Sequence, residues 1–137
     1  VDPQLVQFGG SLAAILVLAG IAWALKLGHP PRIESEEHAT ALGCEADTAF
    51  VPERAAVCEG GAAAILVDAA GRVMVLRRHG VHFAARVLEP GAGAQVEDGA
   101  LTVVPTDRTY GPVTLQLGEH AQTWAARVDG VSKAHDA

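Results

Sequence analysis

The sequence predicts an α+β chain: a single N-terminal transmembrane helix, then a small antiparallel β sheet or partial barrel with a C-terminal amphipathic helix. Three observations carry this reading. The 23 residues from Pro3 to Leu25 contain no charge. Short apolar runs punctuated by Gly, Pro and Asp fill most of Ala62–Leu117, the signature of strands and tight turns. Beyond Gly118 the apolar period lengthens to that of a helix. The chain divides accordingly into a helix and exit linker (1–32), a soluble domain (33–130) and a tail (131–137).

Leu5 to Leu25 reads LVQFGGSLAAILVLAGIAWAL. At 1.5 Å per residue this makes roughly 31 Å of helix, about one hydrocarbon core. Gln7 and Ser11 are its only polar side chains and lie near the start, while Trp23 near the other end suits an interfacial anchor. A cleaved signal peptide would need a basic leading region, which Val1-Asp2-Pro3-Gln4 lacks; Ala22-Trp23-Ala24 resembles a cleavage site only in its two alanines. Gly9, Gly10, Ala13 and Ala14 form a face of small residues that permits close helix–helix contact in lipid, with Gly10 and Ala14 at its centre. Plain abundance of Gly and Ala in membrane helices gives the same spacing. Lys26 and Arg32, with His29 between them, follow the span, against Asp2 and the α-amino group before it. The positive-inside rule then places the N-terminus in the periplasm and the domain in the cytoplasm of a bacterial inner membrane.

Gly28 and Pro30-Pro31 are expected to end the helix and form a stiff spacer. Ser35 reads as an N-cap, with Glu36 and Glu37 in the first turn of a short helix and Gly43 as its stop. A weaker strand pattern covers Phe50–Cys58, where Pro52 suits an edge or strand start. Ala62–Val67 and Arg72–Arg78 flank Asp68-Ala69-Ala70-Gly71, a hairpin signal. His79-Gly80 turns the chain into Val81–Leu88, and Glu89–Gly93 breaks it. Strands near Ala94–Val96 and Ala100–Val104 surround Glu97-Asp98-Gly99, and Val113–Leu117 alternates cleanly. Ala121, Trp124, Ala125 and Val128 then fall at i, i+3, i+4 and i+7 on a helix from about Glu119 to Val128, which Asp129-Gly130 should stop.

Six or seven antiparallel strands followed by one such helix resemble pleckstrin-homology-like domains, over about Phe50–Val128. The segments GRVMVLRRHG (Gly71–Gly80), GPVTLQLG (Gly111–Gly118) and WAARV (Trp124–Val128) also resemble short bacterial single-pass membrane proteins. Neither resemblance implies an activity.

Little in the chain supports catalysis. GRVMVLRRHG is similar to the strand before the catalytic helix of Nudix hydrolases, but the helix of clustered glutamates those enzymes use for metal is missing; Glu89, Glu97 and Asp98 are separated by Pro and Gly. His79 and His82 flank a strand turn without a nearby Cys or carboxylate to complete a zinc set. Cys44 and Cys58 are too few and too far apart for a thiolate site; they are expected to be reduced in the cytoplasm, or disulfide-bonded in a periplasmic domain. Ser11 is in the membrane, Ser35 is a cap and Ser132 is in the tail, so no serine nucleophile stands out. Gly91-Ala92-Gly93 does not open a helix after a strand, which excludes dinucleotide and phosphate loops. No cofactor or metal is expected.

Charge is more telling. A formal charge of −6 argues against nucleic acid as a partner, and two cysteines in 137 residues exclude a disulfide-dense scaffold. Residues 33–62 hold seven acids against Arg54, whereas 71–86 hold Arg72, Arg77, Arg78 and Arg86 with no acid. Either this basic hairpin docks on anionic headgroups or an acidic partner, or it neutralises the acidic segment of its own domain, which high local concentration favours. Within a strand Arg77 shares the Val73/Val75 face and Arg78 the opposite one. The expectation is a non-catalytic accessory subunit of an inner-membrane complex. Gly9, Gly10, Ala13, Ala14 and Trp23 would make the contact in the bilayer with other membrane subunits, and the four arginines would dock. The alternative is a tethered module that binds anionic lipids or a soluble protein.

Overall fold

The computed structural model describes residues 2–25 and 30–136, the last five of these by their backbone. The chain divides into two compact units between Pro30 and Pro31. The first is helix α1, Pro3–Ala24. Asp2 caps it, its side chain accepting from the Gln4 amide at 2.9 Å, and Pro3 starts the first turn with a φ already set for a helix. The helix is long and apolar enough to cross a membrane, and none of its residues is buried. Lys26, Gly28 and His29, assigned to the exit linker and the flanking charge, lie outside the described residues.

The second unit is α+β. Helix α2 (Glu36–Ala46) starts where Ser35 Oγ accepts from the His38 amide at 3.0 Å. It does not stop at Gly43. There the missing side chain lets the helix lie on Leu66, Pro52 and Met74, and a Cβ would sit 3.2 Å from a Leu66 methyl. Seven strands follow: β1 (Pro52–Val57), β2 (Ala63–Asp68), β3 (Val73–His79), β4 (His82–Val87), β5 (Gly93–Glu97), β6 (Ala100–Val104) and β7 (Val113–Gln116). They form two antiparallel sheets, β1-β2-β3-β4 and β5-β6-β7, where the sequence suggested one small sheet or partial barrel. The break falls at Glu89–Ala92, where a proline and a left-handed glycine at φ 104° end β4's direction.

Turn chemistry fixes the hairpins. Asp98 and Gly99 both have positive φ (50° and 77°), the type I′ pattern whose twist matches the strands it joins. In the β2–β3 turn the Asp68 carboxylate accepts from the Ala70 and Arg72 amides at 3.0 and 2.8 Å, and Gly71 takes φ 88°.

Strands β2 and β3 separate two apolar cores. Ile65, Val67, Val73 and Val75 face the inner side of the second sheet (Leu101, Val103, Val113, Leu115) together with helix α3. Ala64, Leu66, Met74 and Leu76 face the other way, toward α2, Ile33 and Phe50. Helix α3 (Ala121–Asp136) buries Ala121, Trp124, Ala125 and Val128, as the spacing predicts. It runs through Asp129-Gly130 and takes in what the sequence marked as a tail, because Gly130 keeps a helical backbone rather than the left-handed φ that would end the turn.

Candidate functional site

The four arginines of the hairpin do not form one patch. β3 and β4 pair with Val75 opposite Arg86 and Arg78 opposite Phe83. Alternation therefore sends Arg77 and Arg86 to the Val75 face, and Arg78 to the Leu76 face. Arg72, in the turn before β3, is held there. Its Nε meets the buried Asp68 carboxylate at 2.7 Å, an NH2 donates to the Ala49 carbonyl at 3.0 Å, and the guanidinium lies over Phe50. Arg86 Nη1 donates to the Ala85 carbonyl, and Arg86 Nε donates to the Asp107 carboxylate at 3.1 Å. That hydrogen bond and the Thr109 amide hold the Asp107 carboxyl below the usual carboxylate range. The neutralising acids are thus Asp68 and Asp107, neither of them in the acidic 33–62 segment expected to supply them. Arg78 Nε is buried without a hydrogen-bond partner among the described residues.

Arg77 and Arg86 converge instead on Tyr110, in the loop between β6 and β7. Their guanidinium carbons lie 4.4 and 5.5 Å from its ring centroid. The Tyr110 hydroxyl donates to the Ala84 carbonyl at 2.8 Å. Among the described residues neither Arg77 nor Arg78 has an ion-pair partner, and of the two only Arg77 shares its face of β3 with Arg86 and Tyr110. Tyr110 escaped the sequence reading because its partners, from Arg86 to the Val75 carbonyl, are 24 to 35 positions away.

In the other unit, a side chain at Gly9 or Gly10 would meet only its own stretch of helix, Ala13 and Ala14 are exposed beside them, and Trp23 is 79% exposed. Cys44 is exposed on α2 and Cys58 is buried in the core between the sheets; both are free thiols. Among the described residues no three His, Cys, Asp or Glu side chains gather to hold a metal.

A cleft of about 540 Å³ opens elsewhere, between α2, β1 and α3, lined by Glu36, Glu37, Glu53, Arg54, Trp124 and Arg127 among others. No single motif marks it, because it draws on three elements far apart in sequence. No family model, curated protein or solved structure matches the chain.

Proposed function

We propose that this chain is a non-catalytic accessory subunit of a bacterial inner-membrane complex, with α1 in the bilayer and the α+β unit as a cytoplasmic docking domain. The carrying observation is α1 itself: 22 residues without a charge, none of them buried, attached to a unit that has its own cores. A helix of that length and polarity gains most by burial in lipid or against other membrane helices, and Gly10 and Ala14 offer close approach. Lys26 and Arg32 after the span support the cytoplasmic side for the domain. Four strands, three strands and a closing helix support a pleckstrin-homology-like reading of the domain. Purification of the tagged chain from native membranes in mild detergent tests the proposal. Stoichiometric recovery with larger membrane subunits is the expected result, and recovery of a lone monomer overturns it.

Arg77 favours a second reading, a tethered module for anionic headgroups. Among the described residues its guanidinium has no acid partner, and it lies beside that of Arg86 on one ring. In that case the lone monomer binds anionic vesicles with an affinity that falls as salt rises.

A further inference from the structure

We propose that the groove along the free edge of β1 takes an extended basic peptide segment of a partner protein, which adds to the first sheet as a further strand. The inference rests on the docking reading above and names the chemistry of what docks.

Among the described residues β1 pairs with a strand on one side only. The Cys58 amide donates to the Ala63 carbonyl, and the β1–β2 register carries this alternation back along the strand. Ala56 and Arg54 therefore turn their backbone groups toward β2, and Ala55 and Val57 turn theirs outward. An outward row of amides and carbonyls is a template for another strand. Pro52 and the register shift between Pro52 and Arg54 blunt the start of this edge, but the pairing from Arg54 to Val57 is regular.

The edge lies at the floor of a walled groove. One wall is the first turn of α2, with Glu36, Glu37 and Thr40; the other is α3, with Thr123, Trp124 and Arg127. A second cleft of about 460 Å³ shares Glu53, Arg54 and Arg127 with the first and continues to Val131 and the β2–β3 turn. From His120, at the end of the 3-10 turn that leads into α3, the lining positions Thr123, Trp124, Arg127 and Val131 recur at three and four residues, so one helix face follows the groove. From His120 to Val131 the rise is roughly 16 Å, room for about five residues of extended chain.

Charge selects the occupant. Glu36, Glu37 and Glu53 form no ion pair among the described residues, against Arg54 and Arg127. Arg127 is moreover stacked on Trp124 at 4.4 Å. At the α2 end three carboxylates thus face two guanidinium groups, an excess of one negative charge, while the continuing cleft adds the Asp68–Arg72 pair. A strand with Lys or Arg at alternate positions places its charges toward them, and an acidic strand is repelled.

The test titrates two sets of capped nine-residue peptides into the isotope-labelled full chain in neutral maltoside micelles. One set alternates Lys or Arg with Val or Thr; the other replaces the basic residues by Glu or Asp. The basic set is expected to bind at or below about 1 mM and to shift the Ala55 and Val57 amides. Glu36→Lys with Glu37→Lys, and separately Thr123→Trp, which fills the cleft from an exposed position without adding charge, should each weaken binding about tenfold. Equal affinity for both sets, no binding at about 1 mM, or unchanged affinity in Thr123→Trp overturns the proposal. Failure here is separate from failure of the subunit reading, because the titration reads the groove and co-purification reads the membrane complex.

Discussion

The guanidinium of Arg77 lies 4.4 Å from the Tyr110 ring centroid, and the Tyr110 hydroxyl is in turn anchored on the Ala84 carbonyl of the neighbouring strand. A cation of the first sheet is thereby set against a ring carried by the loop between β6 and β7. The contact joins the two sheets at the rim of their shared core, and it orders a charge that the sequence alone would leave free to swing.

Tyr110 is the only tyrosine in the chain, so its ionisation can be read directly. Burial pushes its hydroxyl up to about 12, although Arg77 and Arg86 both pull it down. Because the folded value lies above the unfolded one of about 10, the contribution to stability is complete below pH ~10 and is lost as pH rises toward about 12. The tyrosinate absorbance of the folded chain should therefore titrate well above that of the denatured chain. Arg77→Ala should raise the midpoint further. Coincident folded and denatured curves would contradict the burial described for this ring.

Asp68 should matter more to stability than Arg72. The carboxylate is 6% exposed and accepts from two turn amides as well as from Arg72, whose side chain is 49% exposed. Asp68→Ala is expected to cost about 2 kcal/mol and Arg72→Ala about 1 kcal/mol, from typical net values for charged hydrogen bonds. Urea unfolding of both single variants and the double variant measures the order and the coupling.

Gly43→Leu should destabilise the α+β unit by about 1–3 kcal/mol despite leucine's higher helix propensity, because the added side chain meets Leu66, Pro52 and Met74. A stabilised variant in thermal unfolding would show that α2 can lift off this surface at little cost.

On α1, Gly10→Leu with Ala14→Leu should lower recovery of membrane partners in mild detergent while leaving membrane insertion intact, since both changes keep the segment apolar. Undiminished recovery would show that the small-residue face makes no contact.

The strands were legible because each turn carries its own chemistry: Asp68 and Gly71 close one hairpin, Asp98 and Gly99 another. The α3 stripe was legible because Trp124, Ala125 and Val128 repeat at helical spacing. Glycine misled twice. Gly43 and Gly130 read as stops, yet both keep helical backbone, the first because a neighbouring strand needs the space. The site was less legible for a different reason. Arg86 finds Asp107 across 21 positions, and the groove gathers Glu36, Glu53 and Arg127 from three separate elements. Pairings of that range are set by how the sheets fold over one another, which no local pattern encodes.

Strands β2 and β3 are covered on both sides, with aliphatic side chains at consecutive positions from Ala63 to Val67 and from Val73 to Leu76. Sliding one strand by a single residue would exchange the aliphatic occupants of the two cores, so polarity guards the pairing only at the strand ends, where a slide of β3 would carry Arg72 or Arg77 into the buried position of Val73 or Leu76. Between those ends the alignment comes from shape, the small Ala63 and Ala64 facing opposite cores, and from the clasp that Asp68 makes across its turn. Loosening that clasp would then yield misaligned chains during refolding, a kinetic error separate from any loss of equilibrium stability.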